Sequence, residues 1–288
     1  MGPGALGDLL KRARYEVFPL EGIEDEVAAH VPRDIPVTIT SSPSRGMDTT
    51  LDLAAALVAR GFEVIPHLSA RLVVDAGHLE GILGRLTEIG VSDVLVIGGD
   101  VKEPKGSFAG AFELLSAMAQ LGHGLDAIGI AGYPESHPFI SDEQTIGAMF
   151  AKAPLATYIV SQLCFEPAVI AGWIAAVRER GVDLPIRIGI PGAVSRARLL
   201  RISTKIGVGE SSRFLRGHRR ALARLFLRGT YGPGSLIDGL TSYLADASRN
   251  VDGFHIYTFN ELEKTELWRR ETIRRLDRAA SRTRSRSE

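Results

Sequence analysis

Residues 131–138 read Ala-Gly-Tyr-Pro-Glu-Ser-His-Pro, which places a phenol, a carboxyl group and an imidazole in one short stretch. Ordinary turns are built from glycine, proline and small polar residues and have no need of these three groups together. Tyr133, Glu135 and His137 follow directly on an apolar run at 127–131. Loops that follow a strand and carry such groups are typical of binding sites, so this stretch is expected to form one wall of a site.

Other strand-like segments carry or end in polar groups of the same kind. Glu16 lies inside the first segment, and the later segments end near Thr40, His67, Asp100, Gln162 and Tyr257. A carboxylic acid that converges with hydroxyl, imidazole, carboxylate and amide groups suits the binding of a polar planar ligand and the donation of one proton to it. Each group also has a structural alternative: a salt-bridged Glu16, a structural His67, a turn residue at Asp100 and an amide at Gln162 that serves the fold alone.

The segments that must position these groups alternate between strand and helix patterns. The β-rich runs lie at 15–19, 36–40, 63–67, 93–99, 127–131, 157–161, 185–190 and 253–258. Helical spacing joins Leu51, Ala54, Ala55 and Val58; Leu79, Ile82, Leu83 and Leu86; Phe108, Ala111, Phe112 and Leu115; and Ile170, Trp173, Ile174 and Val177. Alternation of this kind predicts an α/β fold with a parallel sheet.

Eight such units predict a single-domain (β/α)8 TIM barrel over residues 14–268, after an N-terminal segment at 1–13. The alternative is an open doubly wound sheet, which usually has a glycine-rich phosphate loop after its first strand; Phe18-Pro-Leu-Glu-Gly22 is not one. Active sites of such barrels lie at the carboxyl ends of the strands. Alternation within the first strand places Glu16 on the face opposite Tyr15 and Val17, where a buried carboxyl group must be paired or protonated.

Composition excludes several classes of function. The chain has 34 basic and 34 acidic residues, so no net charge favours nucleic acid or a membrane surface as a partner. One cysteine, Cys164, rules out an internal disulfide framework and fits the cytoplasm. We find no apolar run long enough to span a membrane. No Lys ends a predicted strand, which disfavours a Schiff-base enzyme, and the histidines show no HxH or HxxxH pair, so no metal site is predicted.

Two basic segments are left open by the sequence. About 60 residues separate the last two predicted strands, and the arginines at 196–228 are interpreted either as solvated helix faces or as an anion site at the top of the barrel. The segment 207–212, Gly-Val-Gly-Glu-Ser-Ser, is either a helix cap or a source of backbone N–H groups for that anion. The basic tail at 269–288 is expected to be disordered at its end.

Taken in order, the segments resemble one known family. The motifs are Tyr-Glu-Val-Phe-Pro at 15–19, Val-Thr-Ile-Thr at 37–40, Pro-His-Leu at 66–68, Gly-Gly-Asp at 98–100, the stretch at 131–138, Ser-Gln at 161–162, Ile-Pro-Gly at 190–192 and Phe-His-Ile-Tyr-Thr-Phe-Asn at 254–260. They resemble the methylenetetrahydrofolate reductase family in its short bacterial form. The stretch at 131–138 is close to the most specific signature of that family.

The resemblance implies a function and a set of roles. The family reduces 5,10-methylenetetrahydrofolate with a nicotinamide dinucleotide as hydride source and FAD as relay. Carried over, Glu16 is expected to be the general acid. Substrate-binding residues are expected at Asp100, Gln162 and Tyr257. The cofactor site is expected to be lined by Thr40, His67, Gly98, Gly99, Ala131, Tyr133 and His137.

Two departures from the family pattern bear on the flavin. Gly98 stands where the family has an arginine, and residues 148–151, Ala-Met-Phe-Ala, stand where it has an Arg-Lys pair that holds the phosphates. We therefore predict that FAD is absent or weakly held and that NADH, or NADPH, transfers its hydride directly to the folate. The alternatives are a conventional FAD-dependent reductase and a folate-binding protein without turnover.

Overall fold

Eight parallel strands form one closed barrel. The computed structural model describes residues 3–42, 44–135, 142–194 and 233–284. Its strands are β1 (Arg14–Val17), β2 (Val37–Ile39), β3 (Val64–Ser69), β4 (Asp93–Ile97), β5 (Ala127–Gly132), β6 (Tyr158–Ser161), β7 (Ile186–Pro191) and β8 (Val251–Tyr257). Each pairs in parallel with its neighbours in chain order, and β8 closes the barrel against β1. The predicted (β/α)8 barrel is therefore confirmed.

Helices connect the strands. They are α1 (Pro3–Lys11), α2 (Ile23–His30), α3 (Gly46–Ala59), α4 (Ala76–Glu88), α5 (Ala111–Leu121), α6 (Asp142–Lys152), α7 (Pro167–Glu179), α8 (Gly234–Leu240) and α9 (Leu262–Arg284). The helices predicted from spacing correspond to α3, α4, α5 and α7. Three connections end as predicted at a glycine in the left-handed region, with φ of 81° at Gly61, 76° at Gly90 and 76° at Gly181. Phe108 precedes α5, because Gly110 is extended where the helix begins.

The chain outside the eight units packs on the barrel where it is described. Helix α1 lies against α9, and its Leu6, Leu9 and Leu10 are buried. Helix α9 continues past residue 268, and its Leu276 is buried as well. The segment boundaries at 13 and 268 stay predictions. The arginine-rich segment, the proposed anion loop at 207–212 and the last residues of the tail lie outside the described residues.

Side chains of each strand alternate between the barrel interior and the helix layer. Tyr15 faces outward, and its hydroxyl donates to Glu266 Oε2 on α9 at 2.6 Å. Glu16 faces inward, as predicted from alternation, toward His255 of β8. The parallel register pairs Glu16 with Thr38 on one side and with Tyr257 on the other. Paired residues in adjacent strands point the same way, so polar residues of several strands meet inside the barrel.

Buried charges occupy the amino-terminal end of the interior. Arg14 Nη2 lies 3.0 Å from Asp93 Oδ2, and the Tyr158 hydroxyl donates to Asp93 Oδ1 at 2.8 Å. The Arg14 guanidinium lies 4.6 Å from the centroid of the Tyr158 ring. Gly129 makes room for this ring, since a Cβ there would lie 2.5 Å from it. An apolar cluster of Ile65, Leu95 and Val160 packs against Tyr158.

None of the helices in the described ranges is long and apolar enough to cross a membrane.

The buried ion pair at the amino-terminal end gives a stability prediction. We expect Asp93→Ala to lower the free energy of unfolding by about 3–5 kcal/mol, because Arg14 would keep a buried charge without its partner. The control is Asp52→Ala, which removes the exposed ion pair with Arg85 and is expected to cost at most about 1 kcal/mol. Urea unfolding of both variants measures the difference. Equal losses would show that the Arg14–Asp93 pair is not a buried ion pair.

Candidate active site

Glu16 lies between two histidines inside the barrel. Its carboxylate Oε2 is 3.0 Å from Nε2 of His255 on β8 and 3.9 Å from Nε2 of His67 on β3. The exposed fraction of the side chain is 7% for Glu16, 6% for His67 and 0% for His255. The separation of 3.0 Å is a hydrogen bond, whereas 3.9 Å is too long for one.

Burial sets the protonation of all three groups. It raises the pKa of Glu16 from 4.5 to about 7, a rise that the nearby His67 partly offsets. It lowers the pKa of His67 from 6.5 to about 4, with Glu16 opposing and His255 adding to the fall. It lowers the pKa of His255 to about 3, and the positive charges of Arg14 and Arg187 add to that fall. Near pH 7 both imidazoles are neutral, so neither forms an ion pair with Glu16.

A carboxylic acid with a pKa near neutrality is suited to proton transfer. It holds a proton in a large part of the molecules at pH 7, and it is acidic enough to release that proton to a basic atom of a ligand. Burial with neutral neighbours is the arrangement that produces such an acid. The structure therefore supports the interpretation of Glu16 as a proton donor over that of a salt-bridged structural residue.

The same three side chains could also hold a metal ion. Among the described residues they are the group of His, Cys, Asp or Glu side chains whose ligand atoms all lie within 4.8 Å of one another. A cation there would require Glu16 as a carboxylate. Burial instead favours its neutral acid form, which disfavours a cation at this position. Because the three residues come from three strands, no short sequence spacing could have indicated their proximity. That the protein needs no metal stays a prediction.

The end of β8 holds the end of β1 in place. The Thr258 hydroxyl donates to the backbone oxygen of Glu16 at 2.6 Å. Asn260 pairs twice with Phe18: its Oδ1 accepts from Phe18 N at 2.9 Å and its Nδ2 donates to Phe18 O at 3.0 Å. Phe259 and Asn260 both have left-handed backbones, with φ of 51° and 58°. Such a backbone is unfavourable for phenylalanine, so the contacts with β1 must compensate for it.

Asp100 lies on the loop after β4, where it is exposed. Arg71 anchors this loop: its backbone N–H donates to Gly98 O at 3.1 Å, and its guanidinium donates to Val101 O at 3.0 Å and Ala109 O at 2.8 Å. Gly99 has φ of 90°, and a Cβ there would lie 1.9 Å from the Ser69 hydroxyl oxygen. The loop therefore needs glycine at 99 to lie this close to β3.

The charges of Asp100 and Glu16 act on two tyrosines, Tyr133 and Tyr257. Burial and the charge of Asp100 raise the pKa of Tyr133. Burial, Glu16 and Tyr133 raise the pKa of Tyr257 well above its usual value. The Tyr257 hydroxyl donates to Ser161 O at 3.3 Å, and its ring lies 4.9 Å from that of His255 in a T-shaped contact. Four predicted site residues are therefore coupled electrostatically: Asp100 acts on Tyr133, and Tyr133 and Glu16 both act on Tyr257.

Gln162 follows β6 at the same end of the barrel. Its Oε1 accepts a hydrogen bond from Leu163 N at 2.9 Å, and its backbone N–H donates to Gly132 O at 2.7 Å. A Cβ at Gly189 of the next strand would lie 2.2 Å from Ser161 O and 3.0 Å from the Gln162 carbonyl carbon. The glycine thus lets β7 approach the strand that carries Gln162. No described residue accepts a hydrogen bond from the side-chain N–H groups of Gln162, so these groups suit a ligand.

Four of the seven predicted cofactor-binding residues are Thr40, Gly98, Ala131 and His137. Thr40 follows β2, and its buried hydroxyl has no hydrogen-bond partner among the described residues, so a ligand could engage it. Gly98 and Ala131 are half-buried, and a Cβ at Gly98 would meet no atom of the described residues within 4 Å. His137 lies outside the described residues.

The structure changes two details of the predicted site. We predicted that the third strand ends at His67, but β3 continues to Ser69, so His67 lies inside the barrel beside Glu16. His255 is the second difference, since it was not among the predicted site residues. The signal was present, because strand alternation places His255 on the same face as Tyr257.

A family model and a curated relative both match this chain to methylenetetrahydrofolate reductases. The family model described as methylenetetrahydrofolate reductase matches residues 20–268. Methylenetetrahydrofolate reductase 2 of Saccharomyces cerevisiae (strain ATCC 204508 / S288c) is 25% identical over 185 residues, which is 60% of this chain and 31% of the yeast protein. The matched part thus spans less than a third of that relative's length.

Two solved structures are similar in part. One, of a protein from Burkholderia cenocepacia J2315, has a TM-score of 0.48 and 14% identity, and covers 98% of this chain and 88% of that chain. The other, of a conserved protein of unknown function from Enterococcus faecalis, has a TM-score of 0.39 and 16% identity, and covers 64% of this chain and 49% of that chain. At these scores neither structure bears on function.

The Asn260–Phe18 pairing can be tested by hydrogen exchange. We expect Asn260→Ala to lose both hydrogen bonds with Phe18, to lower the free energy of unfolding by about 1–3 kcal/mol and to speed amide exchange in residues 14–20. The matched control is Asn250→Ala. Asn250 is also left-handed, with φ of 46°, and its Nδ2 donates to Asp183 O at 2.8 Å at the start of β8. The control should lose stability without faster exchange in residues 14–20. Faster exchange there in both variants would contradict a specific role of Asn260.

Proposed function

Since the chain belongs to the methylenetetrahydrofolate reductase family, we propose that it reduces 5,10-methylenetetrahydrofolate to 5-methyltetrahydrofolate with NADH, or NADPH, as the hydride donor. The observation that carries this proposal is the buried Glu16 with a pKa near 7. It supplies the one group that the reaction demands of the protein, a proton donor at neutral pH.

The reaction explains why a proton donor is needed. The bridging carbon of the substrate accepts a hydride only as an iminium of N5, so its bond to N10 must first break. N10 takes a proton as that bond breaks, and we assign the proton to Glu16. The hydride then passes to the carbon and leaves a methyl group on N5 and an oxidised nicotinamide. Glu16 is left as a carboxylate and regains its proton from solvent.

The remaining side chains are assigned to binding. Asp100 and the side-chain N–H groups of Gln162 suit the donors and acceptors on the edge of a pterin, and Tyr257 closes the site beside Glu16. Thr40, His67, Gly98, Gly99, Ala131, Tyr133 and His137 are assigned to the cofactor site. These roles rest on the family motifs, and the proximity of Glu16, Tyr257, Tyr133 and Asp100 supports them.

FAD fits the described residues poorly. Its diphosphate needs cations or N–H donors when it is buried. The resemblance places an arginine at position 98, yet Gly98 stands there, where a Cβ would meet no atom of the described residues within 4 Å, and in residues 146–152 of α6 the cation is Lys152, whose pKa is lowered by burial. We therefore propose that NADH is a co-substrate that lies beside the folate and transfers its hydride directly.

Two other functions stay alternatives. A conventional FAD-dependent reductase would hold the flavin with other groups. A folate-binding protein without turnover would be favoured by a Glu16 locked in an ion pair, but both neighbours of Glu16 are neutral imidazoles near pH 7. We place the reaction in the cytoplasm, as the single cysteine suggests.

The acid role of Glu16 is tested by substitution. We expect Glu16→Gln to lose turnover by about 10²–10⁴-fold and to keep folate binding, because an amide cannot protonate N10. In the unsubstituted protein kcat/KM should fall as pH rises through about 7, because the active form is the protonated acid. Glu21→Gln, at an exposed position on the loop after β1, should retain full turnover. Near-normal turnover of Glu16→Gln would remove Glu16 from the acid role.

Direct hydride transfer is tested by the visible spectrum and by steady-state kinetics. We expect the purified protein to be colourless and active without added flavin. Both substrates must then be bound together, with the nicotinamide C4 within roughly 3–3.5 Å of the methylene carbon, so initial rates should give intersecting double-reciprocal lines. Stoichiometric FAD in the protein, or parallel lines with NADH and methylenetetrahydrofolate, would restore the flavin-dependent alternative.

A further inference from the structure

Among the described residues, the side chain of His255 has one hydrogen-bonding contact, which is with Glu16. The imidazole is fully buried, and Nε2 lies 3.0 Å from Glu16 Oε2. Nδ1 is buried without a partner among the described residues. The ring is held from one side by the T-shaped contact with Tyr257. A fully buried polar side chain with a single hydrogen-bond partner restricts the orientation and the proton position of that partner.

The two contacts of His255 determine its tautomer. A neutral imidazole has one N–H group. On Nδ1 this hydrogen would be a buried donor without an acceptor, which is costly. On Nε2 it is donated to Oε2 of Glu16, and only a lone pair is left without a partner. The Nε2–H tautomer is therefore the stable one.

This tautomer determines where Glu16 holds its own proton. Oε2 accepts the hydrogen bond from His255, so a proton on Oε2 would face another hydrogen. His67 Nε2, at 3.9 Å from Oε2, is too distant to compete for that oxygen. The acid proton is therefore on Oε1, which has no hydrogen-bond partner among the described residues.

We propose that His255 is a positioning residue that confines the transferable proton of Glu16 to Oε1 and stabilises the carboxylate after the proton has left. The proposal rests on the acid role assigned to Glu16 above. It adds that the reaction needs the Nε2–H donor at position 255, and that His67, two strands away from Glu16 and 3.9 Å from its Oε2, does not replace it.

Other charged and titratable groups near this pair are accounted for. His67 of β3 and Tyr257 of β8 face Glu16, and Tyr133, which directly follows β5, acts on Tyr257. Arg14 of β1 and Arg187 of β7 act on His255 from the amino-terminal end of the barrel. These groups are present in every variant below, so changes at position 255 report on the hydrogen bond to Glu16.

Substitution of His255 by two amides of different length distinguishes the effect of losing the hydrogen bond to Glu16 from the effect of losing the imidazole ring. His255→Gln places an amide N–H near the position of Nε2 and can still donate to Oε2. His255→Asn is as polar but shorter, and its amide ends near the position of Nδ1. We expect kcat to fall by about 10- to 100-fold in His255→Asn with little change in KM, and His255→Gln to regain most of the loss.

The titration of Glu16 gives a readout that does not depend on turnover. Carboxyl ¹³C NMR with labelled glutamate, with the Glu16 signal assigned by its loss in Glu16→Gln, follows the acid directly. A hydrogen bond donated to the carboxylate favours the charged form. The titration midpoint should therefore lie higher in His255→Asn than in the unsubstituted protein, and His255→Gln should bring it back. Val160→Ala, a truncation elsewhere in the barrel interior, should leave the midpoint unchanged.

A combined variant tests whether His255 acts through Glu16. In a Glu16→Gln background, His255→Asn should lower the remaining turnover no further, because neighbouring residues that act as a unit are not additive. The proposal fails if the Glu16 midpoint is the same in His255→Asn and His255→Gln, or if His255→Asn costs as much turnover without the acid as with it. Absence of reductase activity in the unsubstituted protein would overturn the proposed function instead, and the NMR titration would still decide whether His255 holds the proton in place.

Discussion

The rest of the site depends on the burial of one carboxyl group without a cation beside it. Burial in an apolar or neutral setting disfavours the charged form of an acid, and here it brings the pKa of Glu16 to about 7. A lysine or arginine in place of either neighbouring histidine would form an ion pair and cancel this effect. The two imidazoles provide polar contact without positive charge, since burial keeps them neutral as well.

The barrel interior therefore holds two polar regions with opposite electrostatic character. At the amino-terminal end, Arg14 and Asp93 form a buried ion pair with Tyr158. Toward the carboxyl end, Glu16 meets neutral partners. Ile65, Leu95 and Val160 add apolar volume to the interior around Tyr158. One region pairs its charges, and the other holds an acid that is hydrogen-bonded to a neutral imidazole.

Strand alternation made much of this predictable from the sequence. Eight β-rich runs and the helical spacing between them predicted the barrel, and the inward position of Glu16 followed from its place between Tyr15 and Val17. The partner of Glu16 was not predictable in the same way. His255 lies 239 residues away in sequence, and only the closure of the barrel brings β8 against β1. The contacts by which Arg71 anchors the Asp100 loop were not predictable either. Its guanidinium donates to backbone carbonyl groups, and a sequence pattern does not indicate where those groups lie.

The pairing of Asn260 with Phe18 joins the first strand of the barrel to the turn that follows the last one. Glu16 and its hydrogen-bond partner His255 thus lie on the two strands that close the barrel. During synthesis, Glu16 leaves the ribosome among the first strands, long before Thr258 and Asn260 exist. A nascent chain that lacks β8 holds an ordinary, solvated glutamate with an ordinary pKa. The raised pKa of Glu16 therefore requires the final strand to dock against the first.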